Sequence, residues 1–66
     1  MKQHIFKKSL KQADNILYTH GYRFSHKTMI CGMEEYSYIK PLCGGITANC
    51  SFIIGRDNKV GLIKEF

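Results

Sequence analysis

The residues of this chain best suited to chemistry are His4, His20, His26, Cys31, Cys43 and Cys50. A structural zinc needs close-spaced ligand pairs, because a short turn between two cysteines pre-forms half of the tetrahedron. Here the candidates run His26-x4-Cys31-x11-Cys43-x6-Cys50, with no close cysteine pair. His26 and Cys31, the nearest two, are an odd number of residues apart and fall on opposite faces of an alternating strand. No metal and no cofactor is therefore expected. Nor is a disulfide framework, since no secretory signal is visible and cytosolic thiols stay reduced.

The remaining constellations fare no better as catalysts. Cys50 alternates with Ala48 and Phe52 on an apolar strand face, where a thiol packs as a small hydrophobe. Cys43 precedes Gly44-Gly45, whose amides could stabilise a thiolate, but a nucleophile needs a placed base and spacing supplies none. His4 sits in a basic terminus, His20 at a helix end, and His26 on the predicted inward strand face beside Phe24 and Thr28. Glu34 and Glu35 are adjacent, so a strand points them apart and denies them paired-carboxylate work. Phosphate-binding glycine loops, nucleophile elbows and metalloprotease motifs are absent. The chain is not expected to be an enzyme. A metal or redox module built on Cys31 and Cys43 ranks third among the readings.

The elements that would position these residues follow from periodicity. Phe6, Leu10, Ala13 and Leu17 recur at helical spacing, with Ile16 widening the stripe. Gly21 supplies the stop, and His20 suits the negative end of the helix dipole. Ser9-x-x-Gln12 has the form of a capping box, which would start the helix near Leu10, but the stripe reaching back to Phe6 favours the longer helix. After Gly21 the period becomes 2. In "YRFSHKTMI" one face reads Tyr22, Phe24, His26, Thr28 and Ile30; "EEYSYIKPL" sets Tyr36 and Tyr38 opposite Ile39 and ends near Pro41. Between these two strands "CGMEE" reads as a hairpin connection, and Gly44-Gly45 as the next break. "ITANCSFII" is the clearest strand, and "VGLIKEF" returns after a turn at Asp57-Asn58. Residues 1–66 thus predict one small α+β domain, a single N-terminal helix packed on a small antiparallel sheet of three or four strands.

Ten Lys and Arg against five Asp and Glu give a net charge of +5. Lys2, Lys7, Lys8 and Lys11 all precede the first acid, Asp14. With no apolar stretch of signal-peptide or membrane-span length, the chain is expected to be cytoplasmic and to make no membrane contact. Basic ends attract nucleic acid, and Lys7, Lys8 and Lys11 would share a helix face, with Arg23 and Lys27 on the strand that follows. The RRM aromatic signature and the KH loop are missing, so nucleic-acid binding through these residues is the second reading.

The first reading rests on the sheet. One helix covers one face, and Ile46, Ala48, Phe52 and Ile54 would claim it. A loop shifted by one residue would move Leu62 under the helix and send Ile63 out, leaving an apolar cluster outside in either register. A two-residue Asp57-Asn58 loop pairs Phe52 with Ile63 and Ile53 with Leu62. Val60, Leu62, Ile53 and Phe66 would then lie on the uncovered face, with Tyr36 and Tyr38 as aromatic anchors and Arg56 and Lys59 as a basic rim at the hairpin tip. The expected function is a small non-catalytic binding protein that occupies the surface of a protein or protein–nucleic-acid complex, with homodimerisation an option. A short Lys/Ile-rich frame of this kind suits a regulator or inhibitor carried by a phage or other mobile element.

Overall fold

The computed structural model describes residues 2–65. One helical turn, α1 (Lys2–Ile5), precedes the main helix α2 (Leu10–Thr19). Four strands follow, β1 (Arg23–Ile30), β2 (Met33–Pro41), β3 (Thr47–Ile54) and β4 (Val60–Glu65), with a short 3₁₀ turn at Cys43–Gly45 before β3. They form one antiparallel meander in the order β1-β2-β3-β4. The α+β architecture expected from periodicity is present.

One main helix packs on the sheet as expected, but it does not reach back to Phe6. The Ser9 hydroxyl accepts from the Gln12 amide while the Gln12 side chain accepts from the Ser9 amide, so the capping box starts α2 at Leu10. Upstream, Lys7 has φ of 65°, which no helix interior tolerates. Its amide donates to the Val60 carbonyl, and the Val60 amide donates to Lys8. This turn leaves Phe6 half exposed, whereas Ile5 is fully buried. At the other end α2 stops as expected, with His20 as its cap and Gly21 at φ of 92°.

The core lies between α2 and the sheet. It comprises Ile5, Ala13, Leu17, Tyr38, Cys50, Phe52, Val60 and Ile63, with Leu10, Ile16, Tyr22, Tyr36 and Ile54 packed against it. Each fully buried Phe, Leu, Ile or Val contributes about 1.5–3 kcal/mol. Alternation in β3 sends Cys50 and Phe52 inward, but Ile46 lies before the strand and is exposed.

Two bulges decide which residues face which side. A register shift between Phe24 and His26 in β1 leaves Ser25 extra. Phe24, Lys27 and Met29 therefore share the helix side, and His26, Thr28 and Ile30 turn to the open side. His26 is exposed, which corrects its predicted inward position. In β4 a second shift sets Gly61 and Leu62 against Ile53, while Val60 pairs with Ile54 and Ile63 with Phe52.

The β1–β2 hairpin closes on only two residues, Cys31 and Gly32, with φ of 50° and 77°. Positive φ at both central positions is the signature of a type I′ turn, whose preferred first residue is Asn rather than Cys. Cys31→Asn should accordingly raise the melting temperature, by about 2–6 °C for a domain of this size. A scanning calorimetry measurement showing no gain, or a loss, would contradict the assigned turn.

Candidate binding face

The helix lies over one side of the sheet, and among the described residues no element covers the other. The open side carries Thr28, Ile30, Met33, Glu35, Ser37, Ile39, Asn49, Ser51, Ile53, Leu62 and Lys64 in cross-strand rows. These rows sort by chemistry. The middle is polar, with His26, Ser37, Ser51 and Lys64 in successive register across all four strands. The end nearer the two hairpin tips is apolar. There Ile30 pairs with Met33, and Ile53 meets Leu62, which is 59% exposed. Glu35 stands between these pairs, accepting from the Thr28 hydroxyl at 3.4 Å and facing the Lys64 ammonium at 3.7 Å. Its charge is thus partnered, and with Thr28 and Lys64 it sets the Ile30–Met33 pair apart from Ile53 and Leu62.

Of the residues assigned to this face from sequence, the structure brings four together. Ile53 and Leu62 form its apolar end, and Arg56 and Lys59 sit exposed at the β3–β4 tip beside it. Three belong elsewhere. Tyr38 is 3% exposed beneath α2, stacked on Phe52 at 5.6 Å, with its hydroxyl donating to Asp14 at 2.7 Å. Tyr36 lies on the same side, stacked on Phe52 at 5.8 Å and donating to Glu34 at 3.3 Å. Val60 is fully buried, because the Gly61 bulge turns it inward while leaving Leu62 outward. Phe66 lies outside the described residues. The sequence reading also missed Ile30 and Met33, which the two-residue hairpin and the β1 bulge place on this face. A Cys-Gly pair between alternating segments was the available signal.

The alternative basic surface does not assemble. Lys7 and Lys8 are in the turn bonded to Val60 rather than on a helix face, so they flank the β4 edge. Arg23 and Lys27 lie on β1, across a sheet about 14 Å wide. The Arg23 guanidinium rests 4.2 Å from the Tyr18 ring, and Lys27 pairs with Glu34 at 2.9 Å. That contact holds the Glu34 carboxyl below and the Lys27 ammonium above their ordinary ranges. Lys11, in the first turn of α2, borders a groove with Leu10, Asp14, Phe24, Tyr36 and Tyr38.

The cysteine module also comes apart. Cys31 precedes β2 and Cys43 follows it, so about 30 Å of strand separates the two thiols. Among the described residues no group of three His, Cys, Asp or Glu could hold a metal ion, and no helix is long and apolar enough to cross a membrane. Cys50 is 1% exposed, and burial pushes its thiol up to about 11. No protein-family model, curated protein or solved structure matches the chain.

Three measurements check this geometry. Leu62→Asp should leave thermal stability within about 0.5 kcal/mol of wild type, as for other exposed positions. Val60→Asp should abolish cooperative melting, because an unpaired buried charge costs more than the roughly 5 kcal/mol a small domain holds. Equal effects of the two would refute the bulge. Separately, a thiol reagent at pH 8 should label Cys31 and Cys43 promptly and Cys50 only after unfolding. Because the folded thiol titrates higher than the unfolded one, the stability Cys50 contributes is complete below the ordinary thiol range. It should decline from about pH 9 towards about 11. Cys50→Val should lack that component.

Proposed function

We propose that this protein is a non-catalytic binding module that acts by occupying the surface of a protein or protein–nucleic-acid complex through the apolar end of its open sheet face. One observation carries this reading. Leu62, Ile53, Ile30 and Met33 lie at one end of a face that no element among the described residues covers, and a bulge at Gly61 turns Leu62 outward while its neighbour Val60 completes the core. A protein this small has few apolar residues to spare from its core. Spending several on an exposed face fits an interface, where aliphatic anchors surrounded by a polar rim supply most of the affinity. Arg56 and Lys59 at the adjoining tip, within a net charge of +5, would speed the approach of an acidic partner. A small basic domain with such a face suits a regulator or inhibitor of a host component, of the kind that phages and other mobile elements carry.

Retention from a lysate of the native host on immobilised protein tests the reading. With nuclease present, wild type should retain a defined protein partner, and Leu62→Asp or Ile53→Asp should lose it while still melting cooperatively. Retention that disappears with nuclease and falls steeply with salt would point instead to nucleic acid. Retention unchanged by both substitutions would remove the open face from consideration.

A further inference from the structure

The sheet has two edges, and the structure treats them differently. The start of β4 is occupied by the chain itself, through the bonds of Lys7 and Lys8 to Val60 and the bridge between Ser9 and Lys59. Beyond β2 on its inner side, β1 has no strand partner among the described residues along its outer edge, and all eight of its residues are exposed. Such an edge is a template for another strand unless it is guarded by charge, proline or a bulge. The one lysine in its straight portion does not guard it. Lys27 is drawn back towards β2, with its ammonium 2.9 Å from Glu34 and 6.0 Å from the Tyr36 ring centre. The bulge at Ser25 limits pairing on one side and the Cys31-Gly32 turn limits it on the other. What remains between them is His26–Ile30, a straight segment with Thr28 at its midpoint.

Backbone polarity over that segment is symmetric about the same residue. A two-residue turn closes on a hydrogen-bonded pair, here Ile30 with Met33, so the amides of Ile30, Thr28 and His26 face β2. Those of Lys27 and Met29 then face outward, one on each side of Thr28.

From this we infer that β1 pairs antiparallel with β1 of a second copy of this chain, with Thr28 on the two-fold axis. In that register Lys27 and Met29 of the second copy exchange both backbone hydrogen bonds, and His26 lies opposite Ile30. No like charges stand directly opposite, and each Lys27 brings its own Glu34 as counter-ion. Met29, 64% exposed in the single chain, gains the aliphatic stem of Lys27 as a cover. The product is one continuous sheet of twice the four strands, with both helices on one side and both open faces on the other. A C2 dimer of this kind presents the binding face twice to a partner, although the pairing itself does not depend on what that face binds.

Sedimentation equilibrium on the purified protein should show a reversible monomer–dimer transition. Lys27→Pro and Met29→Pro each remove an outward amide and no bond to β2; both should melt cooperatively with dimer dissociation constants raised at least about tenfold. Register is tested by Thr28→Cys in a Cys31→Asn, Cys43→Ser background. A pair without hydrogen bonds across antiparallel strands has Cα atoms about 4.5 Å apart, within disulfide reach. Mild oxidation should therefore give a covalent dimer quickly for Thr28→Cys, and not for Leu62→Cys in the same background. A monomer at concentrations up to about 1 mM would overturn the inference. So would a dimer indifferent to both prolines, or one in which Leu62→Cys cross-links as fast as Thr28→Cys.

Discussion

The hydroxyl of Tyr38 donates to a carboxylate oxygen of Asp14 at 2.7 Å, and much else in this fold depends on that contact. The Tyr38 ring stacks on Phe52 and meets the edge of Phe24, both at 5.6 Å, so it joins three strands on the helix side. Its polar tip would be orphaned at 3% exposure without a partner from α2. Burial, then the hydrogen bond and charge of Asp14, push the phenol's titration well above the usual tyrosine range. The hydroxyl stays a donor at every physiological pH, and the helix stays pinned. Pinned there, a helix of ten residues spans about 15 Å and leaves β1 exposed along its whole length. A free face and a free edge are therefore consequences of how little one short helix can cover.

Much of this architecture is legible in the residues. The strict alternation from Ala48 to Ile54 identifies β3 and its inward set, and Ser9 with Gln12 marks where α2 begins. Gly21, Pro41 and Gly44-Gly45 punctuate the chain as their backbone preferences require. The errors share a cause. Apolar periodicity through Phe6 suggested a longer helix because hydrophobic spacing does not register a single residue, Lys7, at positive φ. Alternation in β2 put Tyr36 and Tyr38 together correctly but could not say which side the helix would choose. That choice depends on Asp14, twenty-four residues away in sequence.

The faces of the edge strands were harder still, because a one-residue insertion exchanges the two sides of everything beyond it. Ser25 does this in β1 and the Gly61-Leu62 pair in β4. Gly61 was visible as a glycine inside a strand pattern, a recognised sign of a bulge. Ser25 carried no such sign. Its bulge is set by tertiary fit, because Phe24 must reach Tyr38 while Thr28 must oppose Glu35 on the other face.

The two bulges divide the work of a chain too short to bury all its apolar residues. In β4, the bulge lets Val60 and Ile63 both enter the core although an unbroken strand would oppose them, and Leu62 is what it expels. In β1, it places Phe24 against the aromatic cluster and restarts a regular segment at His26. Core packing on one side thus dictates which residues appear on the other. The +5 charge does not contradict this division, because the cations are dispersed: Lys7 and Lys8 by β4, Arg23 on Tyr18, Lys27 on Glu34. On the proposed reading, dispersed charge serves to draw an acidic partner from a distance, and contact itself falls to the aliphatic residues that the register turns outward.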